Sequence, residues 1–216
     1  MGLDLVVEGC AKPGHEAEWR RLVERSFKDE ISDKDGERFR EISIPAYERV
    51  GAPRVGHDAA ADAWIIEVRK ARTPKEIEDV LKDFHGHWVL RLADSPGVPK
   101  YSHGGLYDGV DETSFRGAFL SDCVDVLSNV LINEAWEHKL PEAALRYGQT
   151  LLAAADVALA AGPPATASKQ GFLARLGLGK KGPEPASFDD QLDIVRAAGR
   201  WFVFWGERGH AIRAWS

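Results

Sequence analysis

Cysteine is scarce in this chain, which has only Cys10 and Cys123. The two stand far apart in the sequence, which argues against both a disulfide framework and a zinc site built on cysteine pairs. Each is therefore expected to be a buried core residue rather than a reactive thiol. This usage predicts a protein of a reducing compartment, the cytoplasm.

Long apolar runs are also missing. The most apolar stretch, 151–161, is rich in alanine, contains Asp156 and is too short to span a bilayer. The opening Met1-Gly2-Leu3-Asp4 carries an acid where a secretory signal carries Lys or Arg. The sequence therefore predicts no export and no membrane residence.

A basic excess is absent too, because 28 Lys and Arg stand against 34 Asp and Glu and give a formal net charge of −6. Sequence-independent nucleic-acid binders carry a basic face, so no nucleic-acid partner is predicted. The 216 residues are 44% hydrophobic and 29% charged, which is typical of a globular protein. This length suffices for one sizeable core, and a single domain over 1–216 is predicted.

The common catalytic motifs are missing from the sequence as well. It has no Gly-x-Ser-x-Gly elbow, no phosphate-binding loop, no dinucleotide fingerprint and no His-Glu-x-x-His pair. The leading hypothesis is therefore a non-catalytic cytosolic binding or protein-interaction protein that needs no cofactor. The alternative is a small-molecule enzyme with a His/Tyr/Arg site, and a metal-dependent enzyme is a third hypothesis.

Apolar residues at three- and four-residue spacing predict several amphipathic helices. The clearest start is Thr73-Pro74-Lys75-Glu76, a capping box with Pro at the first helical position. The other predicted helices run from His15 to about Ile31, from Asp58 onward, from Thr113 for more than 20 residues, from Pro141, and from Ser187.

Alternating patterns predict strands over Leu3–Val7 and 210–215, which are expected to pair, and over 39–44. The short connection between the Thr113 and Pro141 helices predicts an antiparallel hairpin at the centre of the core. An irregular loop is expected over 45–56. The predicted fold class is α+β, a helix-rich single domain with this central helix hairpin and a small sheet that uses both terminal strands.

Three segments keep two interpretations each. Residues 64–69 fit the end of a helix or a buried strand, and helix is favoured. Residues 88–92 fit a strand or the continuation of the preceding helix. Residues 188–208 fit one long helix or a path into a hairpin that turns at 206–209, and the helix is preferred.

Ligand-binding residues are expected around a long loop over 93–111, which is rich in Gly and mixes aromatic and titratable side chains. Arg116 follows in the first turn of the predicted Thr113 helix, where a cation opposes the helix dipole unless an anion compensates. That anion is either Glu112 or Asp111, or a small anionic ligand. The candidate ligand-binding residues are Tyr101, His103, Tyr107, Arg116, His85 and His87.

The run His85-Gly86-His87 offers two imidazoles near a predicted helix end. Imidazole is a common ligand of divalent metals, but this spacing matches no specific metal motif. A His in the last turn of a helix is also favoured by the dipole alone. No metal is therefore predicted.

Residues 162–186 form a compositional break that is rich in Gly and Pro and carries basic but almost no acidic residues. Within it, 169–181 interleaves Lys and Arg with Phe and Leu. Such a pattern suits an exposed excursion that contacts a protein partner.

Two short runs resemble uncharacterised bacterial proteins to which no function is assigned. They are the opening Met-Gly-Leu-Asp and the stretch Ser-Phe-Arg-x-x-Phe-Leu over 114–120, read as a helix start. The resemblance implies a bacterial, cytosolic origin, and it implies neither a reaction nor catalytic residues.

Overall fold

The structure is a computed structural model that describes residues 3–94, 114–115, 117–164 and 186–215. The chain forms two compact units. We call Val7–Phe115 the N-terminal unit, and Met1–Val6 with Arg116–Ser216 the C-terminal unit. The predicted α+β, helix-rich class is confirmed. The single domain over 1–216 stays a prediction.

Short helices dominate the N-terminal unit. Two of its short strands pair antiparallel, with Cys10 opposite Ile44. Its elements are β2 Cys10–Ala11, α1 Glu16–Ser26, α2 Asp33–Ile42, β3 Ser43–Ile44, α3 Ala46–Arg49, α4 Ala59–Arg69, α5 Pro74–Asp83 and β4 Ser114–Phe115.

The capping box predicted for α5 is confirmed. The Thr73 hydroxyl accepts from the Glu76 amide at 3.3 Å, and the Glu76 carboxylate accepts from the Thr73 amide at 2.9 Å. These bonds satisfy backbone donors that the first turn of a helix leaves without intrahelical partners. Residues 64–69 belong to α4, so the preferred helical interpretation is confirmed there too.

The strand predicted over 39–44 is wrong for most of its length. A second capping box, between Ser32 and Asp35, starts α2, which continues to Ile42 and leaves only Ser43–Ile44 extended. The loop predicted over 45–56 contains the short helix α3. Both interpretations of 88–92 are also wrong, because Trp88 forms an isolated bridge and Leu90–Leu92 is a single 3-10 turn.

In the C-terminal unit, two long helices and the terminal strands are the main elements. Strand β1 lies beside β5, so the predicted small sheet of terminal strands is confirmed. The elements are β1 Asp4–Val7, a 3-10 helix Gly117–Asp122, α6 Asn129–Glu134, α7 Pro141–Ala161, α8 Phe188–Glu207 and β5 Ile212–Trp215.

The central antiparallel hairpin exists, but α7 and α8 form it. Tyr147 packs edge-on against Phe202 with ring centroids 4.8 Å apart, and farther along α7 Asp156 pairs with Arg196 at 3.4 Å. Contacts that advance along α7 while retreating along α8 show that the helices run in opposite directions. The single-helix interpretation of 188–208 is therefore confirmed, since α8 spans almost all of it.

The helix predicted from Thr113 is wrong, and with it the pairing of that helix with the Pro141 helix. The segment is a 3-10 helix, a turn and the short α6, for which the Ser128 hydroxyl accepts from the Leu131 amide at 3.4 Å. Val124 and Val130 lie on the apolar stripe that predicted this helix, yet they are 64% and 73% exposed. Turns and 3-10 helices also bury about every third residue, so apolar spacing alone does not distinguish them from an α-helix.

The two cysteines are buried, as the sequence predicted. Cys10 and Cys123 are free, buried thiols, and burial raises the pKa of Cys123 to about 12. A thiol this hard to ionise is not a nucleophile at neutral pH. The aromatic cluster of α8 is also buried in the core and consists of Trp201, Phe202, Phe204 and Trp205.

Within the described ranges, no helix combines the length and the apolar character that crossing a membrane requires.

Candidate functional site

The candidate site lies where residues 53–58 cross residues 84–89 in the N-terminal unit. The amide of Val55 donates to the His87 carbonyl at 2.9 Å, and the Gly86 amide donates back to the Val55 carbonyl at 2.9 Å. The Val89 amide donates to the Pro53 carbonyl at 2.8 Å. These bonds fix the two segments against each other, and we call this region the crossover.

Two glycines allow the side chains of the crossover to lie over the opposite backbone. Gly56 and Gly86 have φ angles of +80° and +85°, which residues with a side chain rarely adopt. A Cβ atom on Gly56 would meet His85 Nε2 at 2.7 Å, and one on Gly86 would meet Arg54 Nη2 at 3.2 Å. Each segment thus lends a nitrogen-bearing side chain that covers the glycine of the other.

His57 and His85 form an imidazole pair on this crossover. Their ring centroids are 5.3 Å apart with an interplanar angle of 52°, and both residues are exposed. His57 precedes α4, and His85 follows the end of α5, so each residue lies beside the end of a helix. Apolar residues of the crossover and of α4 form a buried cluster that stabilises this region. It comprises Val55, Ala61, Ile65, Phe84 and Val89.

Arg54 is half-buried and held on two sides. Its Nε donates to the Gly86 carbonyl at 2.8 Å, and its guanidinium carbon lies 5.2 Å from the centre of the Trp88 ring. A cation over an indole face is stabilised by the ring quadrupole. In the described part of the chain no hydrogen bond engages the Arg54 Nη atoms, so their N–H donors remain available to an anion.

Two carboxylates shape the backbone of the crossover. Asp58 accepts from the Arg54 amide at 2.7 Å, and Asp62 accepts from the Gly56 amide at 2.7 Å. Each carboxylate uses one oxygen to accept a hydrogen bond from a backbone amide of the turn, which would otherwise be bonded to water. The main role of these two carboxylates is therefore to fix the backbone conformation of the segment that carries Arg54 and His57.

The structure separates the roles of the two histidines predicted together. His85 belongs to the imidazole pair, whereas His87 is half-buried with its Nδ1 3.0 Å from the Phe84 carbonyl oxygen. Its ring also packs edge-on against Phe84 at 5.5 Å. His87 therefore stabilises the end of α5. Its role as a ligand-binding residue stays a prediction, and none of these contacts favours it.

The remaining predicted site residues lie outside the described residues, as does most of the predicted excursion over 162–186, including the partner segment 169–181. The ligand-binding predictions concerned are Tyr101, His103, Tyr107 and Arg116.

The sequence interpretation did not include Arg54, His57 or Trp88 among the candidate site residues. It assigned Arg54 to an irregular loop over 45–56 and Trp88 to a strand or helix over 88–92. The Gly-His pairs at 56–57 and 86–87 did not mark the site, because Gly14-His15 and Gly209-His210 repeat the same pattern. The meeting of His57 with His85 depends on the antiparallel bridge of Arg54 with Trp88, which no local pattern predicts.

The C-terminal unit contains a further charged side chain with perturbed surroundings, the buried Lys139. Lys139 is 3% exposed, its ammonium donates to the carbonyls of Glu134 and Glu137, and it lies 4.5 Å from the centre of the Tyr147 ring. Burial lowers its pKa from the ordinary value. Because its donors end α6 and its stem is enclosed, Lys139 is a structural cation.

Among the described residues there is no group of three or more His, Cys, Asp or Glu side chains that could hold a metal ion. Comparisons with protein-family models, curated proteins and solved structures found no match to this chain.

Proposed function

We propose that this protein is a cytosolic, non-catalytic binding protein that holds a small anionic ligand at the crossover. The observation that carries the proposal is the Arg54 guanidinium, fixed through Nε and Trp88 with its Nη donors available. The exposed His57 and His85 rings belong to the same crossover. Guanidinium and imidazole N–H groups are the donors that carboxylates and phosphates accept from most strongly.

Preorganisation supports this assignment. Arg54 is held over Gly86, and the rings of His57 and His85 stand at the ends of two helices. A binding group that is already ordered loses less conformational entropy when the ligand arrives. The buried cluster beneath the crossover therefore serves binding by keeping these side chains in place.

The test is a titration of the full chain with inorganic phosphate, sulfate and acetate. Calorimetry measures the affinity, and a thermal-shift assay measures the midpoint of unfolding. An anion that binds the folded state raises the midpoint of unfolding. Arg54→Gln is expected to weaken binding about tenfold or more, since a hydrogen bond to a charged group contributes about 1.5–3 kcal/mol. Arg21→Gln, which removes an exposed guanidinium elsewhere in the same unit, is the matched control.

Arg54→Lys separates charge from geometry in the same assay. It keeps the cation but loses the planar fork that meets two oxygens of one anion. Loss of affinity in both Arg54 variants with Arg21→Gln unchanged supports the proposal. Equal affinity in all of these proteins, with circular dichroism showing each one folded, refutes an anion site at Arg54.

The paired imidazoles favour the small-molecule enzyme as a second candidate function. An exposed His can act as general acid or base when a substrate lies within hydrogen-bond reach. Turnover of a bound anion that disappears in His57→Gln and His85→Gln while binding persists would favour the enzyme. Binding without turnover favours the binding protein.

The partner proposal for residues 169–181 rests on sequence alone. Removal of 169–181 from the full chain tests it in a pull-down, with anion binding as the control that the crossover is intact.

A further inference from the structure

We infer that the ligand of the crossover is a zwitterion, a small molecule that carries one carboxylate and one ammonium group. The inference rests on the proposed anion site and names the class of its ligand. The Arg54 guanidinium binds the carboxylate of the ligand, and the carboxylates of Asp58 and Asp62 bind its ammonium group. The supporting observation is a set of opposite charges in one short stretch of chain that do not pair with each other.

Asp58 and Asp62 each keep one carboxylate oxygen that the protein does not use. Asp58 accepts from the Arg54 amide through Oδ2 alone. Asp62 accepts from the Gly56 amide through Oδ1 alone. Across the ranges that the structure describes, neither carboxylate forms an ion pair or a second hydrogen bond. The two acids lie four residues apart at the start of α4, where like charges repel each other and an ammonium group would offset the repulsion.

Arg54 lies in the same turn, yet it does not neutralise these acids. Its Nε donates to the Gly86 carbonyl at 2.8 Å, and its guanidinium carbon lies 5.2 Å from the centre of the Trp88 ring. As far as the structure describes the chain, the guanidinium forms no ion pair with Asp58 or with Asp62. The backbone thus fixes a cation and two anions as separate partners, and one ligand with both charges can contact them together.

The charge of the site distinguishes a zwitterion from a simple anion. One guanidinium and two carboxylates give Arg54, Asp58 and Asp62 a combined formal charge of −1. A phosphate dianion is repelled by both carboxylates, and a monocarboxylate is repelled less because it carries one charge. An ammonium group on the same ligand replaces this repulsion with charge-assisted hydrogen bonds. Charge complementarity therefore favours an amino carboxylate.

The experiment uses the full chain and three pairs of compounds, each pair differing only in an amino group. They are glycine and acetate, β-alanine and propionate, and 4-aminobutanoate and butanoate. Calorimetry measures the affinity of each compound. We expect at least one amino compound to bind about tenfold or more tightly than its partner, since it adds a hydrogen bond between charged groups. Equal affinities within all three pairs overturn the inference.

Asp58→Asn separates the charge of this residue from its role in the turn. The Asn carbonyl oxygen can still accept from the Arg54 amide, so the turn is retained. We expect the affinity for the amino compound to fall about tenfold, while its partner without the amino group binds at least as tightly as before, because a repelling charge is gone. A distorted turn would weaken both compounds, so a parallel loss overturns the inference.

Asp62→Asn should act in the same way as Asp58→Asn, because its amide oxygen can likewise accept from the backbone. Asp33→Asn, which removes an exposed carboxylate outside the crossover, is the matched control and should change neither affinity. Circular dichroism checks that each variant is folded. Affinity for the amino compound that is unchanged in both Asp58→Asn and Asp62→Asn overturns the inference.

Titrations of Arg54→Gln separate this inference from the proposed function. An amino compound whose affinity depends on both Arg54 and Asp58 supports the two together. Acetate or phosphate that binds through Arg54, with no advantage for any amino compound, overturns the zwitterion and leaves the anion site standing. Amino compounds that bind equally well to Arg54→Gln refute the anion site and the inference with it, and so does the absence of binding by every compound tested.

Discussion

Gly148 is the position where one methyl group should do the most damage to the hairpin of α7 and α8. A Cβ atom there would lie 2.7 Å from the Gly199 carbonyl oxygen, and 2.8 Å from both Phe202 Cβ and the Val203 nitrogen. Two of these atoms belong to backbone inside α8, which cannot rotate away as the end of a side chain can. Gly148→Ala must therefore push the helices apart.

The size of the effect follows from the contacts. Restoring ordinary van der Waals distances requires the helices to separate by about 0.6–1 Å, which forfeits a quarter to a half of the dispersion energy of the atom pairs concerned. Overpacking of this kind typically costs 1–3 kcal/mol, and the backbone contacts place it at about 3 kcal/mol. Ala recovers about 1 kcal/mol of helix propensity. The expected net loss of unfolding free energy is about 2 kcal/mol.

Urea denaturation followed by far-ultraviolet circular dichroism and by differential scanning calorimetry measures this loss. Gly36→Ala is the matched control, because Gly36 also lies within a helix, has an ordinary φ and has nothing within 4 Å of an added Cβ. We expect it to stabilise the protein by up to about 1 kcal/mol. Equal effects of the two substitutions would refute the close packing of α7 on α8.

Three further predictions follow from the same structure. Leu127→Ala should cost about 2–5 kcal/mol because Leu127 is 4% exposed, and a cost below about 0.5 kcal/mol in denaturant titrations would contradict that burial. Thr73→Ala should cost about 1 kcal/mol by removing the N-cap of α5, measured in the same way, whereas Thr73→Ser should largely retain the cap. The hydrogen bond from Arg38 lowers the pKa of Glu18 to about 2. Because the folded-state pKa lies below the unfolded value, the stability that Glu18 contributes is present above about pH 4.5 and is lost as the pH falls through about 2. Glu18→Gln should flatten the pH dependence of the unfolding midpoint in that window, and an unchanged slope would show that the pair with Arg38 does not persist in solution.

Local sequence signals were sufficient wherever the chain could satisfy its own backbone groups. The capping boxes at Thr73 and Ser187 mark the starts of α5 and α8 through contacts within one turn, and Pro141 marks the start of α7 because its fixed φ and missing N–H suit the first helical position. Such contacts need no partner from elsewhere in the chain, so the residues that make them are visible in the sequence.

The rest of the fold was decided by contacts between segments that are distant in the sequence. The apolar spacing over 119–136 is compatible with a long helix, yet a 3-10 helix, a turn and α6 bury Leu120, Cys123 and Leu127 instead. The apolar face of α7 likewise does not identify the helix that packs against it, because such a face can pack against any complementary helix. The glycines at 148 and 199 favour α8, since only close backbone approach turns two small residues into a packing surface.

By itself, the sequence determined that this is a helix-rich α+β protein with buried cysteines and terminal strands that share a sheet, because composition and periodicity report burial. It also placed His85 among the candidate ligand residues. Only the tertiary structure joined His85 to His57 and set Arg54 against Gly86 and Trp88. That meeting depends on a backbone bridge between segments about 30 residues apart and on two glycines with positive φ, and neither constraint produces a periodic pattern along the chain.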